Sequence, residues 1–168
     1  MSPVQEWVQV VDAHNRPCGS ATRAFVRRFK LWHQASYIFV RNACGELCVQ
    51  QRTMTKDIFP GAYDLAAGGV VDAGESMHTG ARRELLEELG IYRRTLTHCF
   101  DFRYTDERLH CFGGVYITEH NGPLALQASE VVDVRWLMPQ AALALDNVTP
   151  DTRVALSMLM ERGILSAC

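Results

Sequence analysis

The chain has 168 residues, a formal net charge of −2, 48% hydrophobic and 21% charged residues. That balance fits a single soluble globular domain able to bury a full core. It argues against a general nucleic-acid surface or an anionic-membrane surface, and no apolar run approaches the roughly 18 residues of a membrane span. Met1–Gln9 lacks the basic start and apolar run of a secretory leader, so a cytoplasmic protein is expected. The cysteines Cys18, Cys44, Cys48, Cys99, Cys111 and Cys168 are scattered and form no CxxC pair. They read as free thiols in a reducing compartment, and Cys44 and Cys48 lack the partner pair that a zinc site needs.

In chain order, Glu6–Val11 and Cys18–Ala21 flank the turn-rich DAHNRP and predict an N-terminal hairpin. Thr22 can cap a short helix running to about Phe29, followed by a basic stretch whose Arg27, Arg28 and Lys30 read either as a solvated face or as a phosphate-side patch. Ser36–Arg41 and Glu46–Arg52 predict strands joined through Asn42-Ala43-Cys44-Gly45. Phe59-Pro60-Gly61 breaks the chain, and Tyr63–Ala67 predicts a short strand delivering Gly68-Gly69. A helix is predicted over Ser76–Leu89, stopped at Gly90, with Ala81, Leu85, Leu86 and Leu89 on its apolar side. Thr97–Tyr104 and His110–Thr118 predict a long hairpin with Thr105-Asp106-Glu107-Arg108 at its tip. Val131–Leu137 predicts a further strand and Met138-Pro139 a short helical piece. Thr149-Pro150-Asp151 starts the closing helix, with a hydroxyl cap and proline at its first position. Strands and helices in this order predict an α/β (α+β) fold with helices on a mixed sheet.

The chemistry concentrates in Gly69 to Ile91. On the predicted helix Glu84, Glu87 and Glu88 stand at spacings that make them neighbours. Like charges this close repel, so they form either a solvated acidic face, with Arg83 reaching Glu87, or a seat for a divalent cation. All-oxygen ligands favour a hard ion, Mg²⁺ or Mn²⁺. The whole stretch decides between these readings. Gly69, Glu75, Arg83, Glu84, Leu85, Glu87, Glu88, Gly90 and Ile91 stand as G-x5-E-x7-R-E-L-x-E-E-x-G-I. At ordinary usage such a pattern arises by chance on the order of 10⁻⁹ per start site. It resembles the Nudix box without a departure.

The resemblance implies an α/β/α sandwich, with an N-terminal extension over residues 1–30 and the Nudix domain over 31–168, the box at 69–91. It implies a hydrolase that cleaves a pyrophosphate linkage with water as nucleophile. The expected metal set is Glu84, Glu87 and Glu88 with the Gly69 carbonyl, holding Mg²⁺ or Mn²⁺. The expected catalytic group is Glu84, with Glu75 and Arg83, where Arg83 pairs with Glu75 to hold the loop against the helix. Glu107 and Glu130 are further candidates for the general base. The partner is expected to be a small-molecule diphosphate, a nucleoside diphosphate linked to another group, and a homodimer through the N-terminal hairpin is a further expectation.

Upstream, Leu31-Trp32-His33-Gln34-Ala35-Ser36, Gln50-Gln51-Arg52, Lys56 and Phe59-Pro60-Gly61-Ala62-Tyr63-Asp64 resemble the isopentenyl-diphosphate isomerase branch of the family. TKDIFPGAYDLAAGGVV and the TPD before the last helix resemble more closely the bacterial YfcD-like hydrolases related to that branch. Aligned on Pro60-Gly61, the isomerase cysteine falls on Gly68 and one of its metal histidines on Val70. His33 matches another but lacks those co-ligands, and is expected to pack or hydrogen-bond. The pattern points to hydrolysis, with isomerisation or a non-catalytic binding domain as rivals. Tyr63, Phe59, Trp32 and Phe112 are the aromatic side chains considered as stacking surfaces for a base or as core.

Overall fold

A computed structural model describes residues 4–166, so Met1–Pro3, Ala167 and Cys168 lie outside the described residues. The strands are β1 (Trp7–Val11), β2 (Pro17–Thr22), β3 (Trp32–Arg41), β4 (Leu47–Arg52), β5 (Tyr63–Asp64), β6 (Thr97–Thr105), β7 (His110–Glu119) and β8 (Val131–Leu137). The helices are α1 (Arg23–Phe29), α2 (Met77–Leu89), α3 (Pro139–Leu143) and α4 (Pro150–Glu161). Among the described residues no helix is long and apolar enough to cross a membrane.

The strands form one mixed sheet. β3 and β7 pair in parallel from Trp32↔His110 to Arg41↔Glu119, and the other named strand pairs are antiparallel. Two apolar layers cover it. On one face Tyr37, Phe39, Phe100 and Val115 pack with Leu156 and Leu159 of α4. On the other, Ile38, Val40 and Tyr116 pack with Ala81, Leu85 and Leu89 of α2. This is the expected α/β/α arrangement, and each leucine so buried contributes roughly 1.5–3 kcal/mol. Leu86, predicted on the apolar side, is 45% exposed, because α2 turns a narrower stripe to the sheet.

The N-terminal hairpin is continuous with the sheet. β1 pairs with β3 at Val10↔His33, and Gln9 N donates to Val71 O at 3.1 Å. Thr22 caps α1 as expected, accepting from Phe25 N at 3.3 Å. β3 starts at Trp32 rather than Ser36 because its first residues gain their partners from distant β7. Ser76 caps α2 through the Thr79 N–H at 3.1 Å. Thr149 stands at the cap position of α4, but its hydroxyl makes no cap bond there. It donates to Asp64 Oδ1 at 2.7 Å, so a residue read as a helix start holds a cleft residue instead.

One irregularity creates the site. β3 and β4 pair at Arg41↔Leu47 and then part. The predicted strand over Tyr63–Ala67 shortens to β5, and the chain after it crosses the opening along β3. Ile38 N donates to Ala67 O at 2.7 Å, Ser36 N to Gly69 O at 2.9 Å and Val71 N to Gln34 O at 2.9 Å. The approach at Gly68 is extreme. With φ +144°, a Cβ there would lie 1.9 Å from the Ser36 carbonyl oxygen, backbone against backbone. Gly68→Ala is therefore expected to cost about 2–5 kcal/mol, from strain at a glycine φ plus forced displacement. A fall in the urea midpoint with an unchanged slope checks it.

Candidate active site

α2 brings two of its carboxylates into the opening. Glu88 Oε2 accepts from Gln50 Nε2 of β4 at 3.2 Å and from Gly68 N at 3.2 Å. Glu84 lies against Gly69, where an added Cβ would come 2.7 Å from Glu84 Oε1. The glycine is what lets this carboxylate lie beside the backbone. Glu87 is exposed on the rim.

Arg83 organises the acidic groups around it. Its Nε donates to Glu75 Oε1 at 2.8 Å and Nη2 to Glu75 Oε2 at 3.1 Å, and Nη1 donates to Glu84 Oε1 at 2.8 Å and Glu87 Oε2 at 3.3 Å. Asp72 Oδ2 is 3.3 Å from Nη2. Glu75 also accepts from Asp72 N at 3.1 Å, so this residue pair pins the loop before α2 to the helix. The Arg83 hydrogen bonds hold the Glu75 carboxyl below its usual range.

Glu88 makes no salt bridge among the described residues, Lys56 acting on it only from a distance. Burial first, then the neighbouring Glu84 and Asp64, push its carboxyl up to about 8. Burial also raises Glu84, against the pull of Arg83. No three His, Cys, Asp or Glu side chains among the described residues converge tightly enough to hold a metal as they stand. The reason is visible in the bonds: Arg83 draws Glu84 and Glu87 to itself, while Gln50 and Gly68 hold Glu88. The donor set nevertheless fits a hard divalent cation. Its side-chain ligands are all oxygen, and a deeply placed carboxylate without a counter-charge requires either a proton or a cation.

These groups line a cleft of about 380 Å³. The cleft is also lined by basic side chains, Arg23 and Arg27 from α1 and Arg52 and Lys56 from the end of β4 onward. Arg23 pairs with Glu6 at 2.9 Å, Arg52 with Asp64 at 2.8 Å, Arg27 with Asp57 and Lys56 with Glu130. Burial, then the neighbouring cations Arg52 and Arg23, lower the Lys56 ammonium from its usual value. The floor carries Tyr37, whose hydroxyl donates to Asp151 Oδ2 at 2.8 Å.

The expected residues divide. Glu130 lines the cleft, bound to Lys56, whereas Glu107 is exposed and does not line it. His33 lines it and is buried, and its Nδ1 donates to Leu31 O at 2.9 Å. Arg27 reaches the cleft, but Arg28 and Lys30 do not. Of the aromatic candidates Phe59 alone lines it. Trp32 and Phe112 stack on each other on the other side of β3 and β7, with centroids 4.9 Å apart, and Tyr63 lies under Arg135. Sequence reading missed Gln50, Asp64, Asp151 and Arg23, which take their places only through long-range pairing.

Comparison with known proteins shows the family and the fold. A family model for the NUDIX domain matches residues 31–158, and the chain belongs to the Nudix family. It is 40% identical over 159 residues to the uncharacterized Nudix hydrolase YfcD of Escherichia coli K12, covering 94% of this chain and 88% of that protein. An uncharacterized Nudix hydrolase of Pseudomonas aeruginosa is 43% identical over 140 residues, covering 82% of each chain. The crystal structure of DR0079 from Deinococcus radiodurans shares the fold, with a TM-score of 0.82 at 24% identity over 92% of this chain and 99% of its own.

The raised Glu88 carboxyl has a measurable consequence. Its folded value of about 8 exceeds the ordinary 4.5, so its contribution to stability is complete below about 4.5 and is lost as pH rises toward 8. Metal-free protein is expected to show a Tm that falls across that interval. Glu88→Gln should flatten this part of the slope, read by thermal melts across the pH range.

Proposed function

We propose that the chain is a divalent-metal-dependent hydrolase that cleaves a pyrophosphate linkage in a nucleoside diphosphate joined to another group. The observation carrying this reading is the meeting of opposite charges in one cleft. Half-buried Glu88 and Glu84 line it together with the basic Arg23, Arg27, Arg52 and Lys56. Carboxylates alone would repel a phosphate, and cations alone would bind it without activating water. Together they suit a polyanion whose charge is neutralised from both sides.

Glu84, Glu88 and the Gly69 carbonyl are the groups that would hold Mg²⁺ or Mn²⁺, with Glu87 nearby on the rim. When bound, the ion supplies charge neutralisation at the phosphate oxygens and lowers the pKa of attacking water. The chain's own groups do the rest. Arg83 and Glu75 fix the loop that carries Gly69 relative to α2, acting by position rather than by contact with substrate. Arg23, Arg27 and Lys56 orient the diphosphate. Glu84, raised above its ordinary value by burial, is suited to accept the proton of the attacking water. Glu75, already held by three hydrogen bonds, is not. Residues 1–30 act as a substrate-side extension of the Nudix domain at 31–168, since they contribute Arg23 and Arg27.

Isoprenoid isomerisation fits poorly. The position of the isomerase cysteine is Gly68, where any Cβ meets the Ser36 carbonyl. Restoring the cysteine by substitution would displace the backbone that positions the site.

The test is phosphate-coupled hydrolysis across nucleotide sugars, dinucleotides and nucleotide coenzymes, with and without Mg²⁺. Wild type should turn over at least one compound only with metal. The Glu84→Gln/Glu88→Gln double variant should lose about 10²-fold or more in kcat. Metal-saturated wild type that binds members of the panel but cleaves none would make the chain a binding domain and end this reading.

A further inference from the structure

The reading above leaves the group beyond the phosphates without a receptor. We infer that Phe59 and Arg108 form a slot at the cleft for a planar aromatic group, the nucleobase of the diphosphate substrate. This rests on the proposed function and deepens it.

The first observation is a cation without a partner. The cleft holds the basic side chains Arg23, Arg27, Arg52, Lys56, Arg83 and Arg108. The first five each meet a carboxylate: Glu6, Asp57, Asp64, Glu130 and Glu75. The Arg108 guanidinium meets no carboxylate and makes no hydrogen bond among the described residues. It lies over the Phe59 ring, 4.6 Å from its centroid. Its backbone, by contrast, is fixed. Asp106 Oδ1 accepts from Arg108 N at 2.7 Å and from Leu109 N at 2.9 Å, and Tyr104 Oη donates to Asp106 Oδ2 at 3.0 Å. A rigid turn thus carries a side chain whose donors are all unused.

The second observation is the placing of Phe59. Its φ of +50° is in the left-handed region, where an aromatic residue stays only if its surroundings hold it. Arg52 does the holding. Its Nε donates to Phe59 O and to Ile58 O, each at 3.2 Å, its Nη2 to Ile58 O at 2.9 Å and its Nη1 to Asp64 Oδ2 at 2.8 Å. Arg52 is therefore a positioning residue for this loop. The only other six-membered ring in the cleft, Tyr37, is buried and bonded to Asp151. Phe59 is the ring left half-open to a ligand.

A phenyl face and a guanidinium plane are the two protein surfaces on which a base stacks, and such stacking tolerates any base. The Arg108 guanidinium now lies where a base would lie against Phe59. On binding it swings outward to cover the second face of the base, which its flexible stem permits.

The test uses probes that are not hydrolysed: α,β-methylene-ADP and methylenediphosphonate, titrated calorimetrically with Mg²⁺ present. Wild type should bind the nucleoside probe about 10-fold or more tighter than the bare diphosphonate. Phe59→Ala and Arg108→Ala should remove most of that difference and leave diphosphonate binding unchanged, while Phe59→Tyr should retain it. Arg108 is exposed, so its variant keeps the test alive should Phe59→Ala disturb the loop. Equal affinity for the two probes in wild type overturns the slot. So does an Arg108→Ala variant that weakens both probes alike, which would make Arg108 a phosphate ligand. A preserved preference without turnover of any substrate leaves the slot standing and removes only the hydrolase reading.

Discussion

A carboxylate without a counter-charge, Glu88, sits at the centre of this structure. Taking an ionised carboxyl out of water costs far more than hydrogen bonds from one amide side chain and one backbone N–H return. The group answers by holding its proton to about 8. Arg83 cannot relieve it, because that guanidinium already serves Glu75, Glu84 and Glu87. Two ways remain to satisfy Glu88, a proton or a cation from outside.

The backbone that creates this position is unusual in the same place. β3 and β4 pair once and then diverge, and the segment through Gly68 and Gly69 fills the gap. Glu88 enters between that segment and Gln50. The close passage at Ser36 and the contact between Gly69 and Glu84 are two results of one constraint, a backbone that must run between a strand and a helix with no room for a side chain.

Local features were legible in the sequence. The span of α2, its Gly90 stop, its acidic face and the hairpins follow from spacing, helix geometry and turn residues over short separations, and the Arg83–Glu75 tie from the resemblance to the Nudix box. The carboxylate that lacks a salt bridge was not, since the spacing does not say that Arg83 turns to Glu84 while Gln50 of β4 and the Gly68 backbone take Glu88. Arg52 shows the same limit. In the sequence it stands only within a stretch resembling the isomerase branch, and its donors go to Ile58, Phe59 and Asp64, partners that meet it only when the loop folds back. Thr149 reads as a cap and becomes the support of Asp64. Trp32 and Phe112 read as stacking surfaces and prove to stack on each other, because the parallel register of β3 and β7 sets them side by side.

This division explains why the box alone leaves the substrate open. The box residues set α2 and the loop before it, and on the proposed reading they serve only the phosphates and the metal. The groups that could tell one diphosphate from another come from elsewhere: α1, the loop between β4 and β5, and the β6–β7 turn. Arg23 and Arg27 precede residues 31–158, where the family model matches, yet they reach the same cleft as the box. Those segments lie outside the tight passage at Gly68–Gly69, whereas a side chain added within that passage would meet the Ser36 carbonyl or the Glu84 carboxylate.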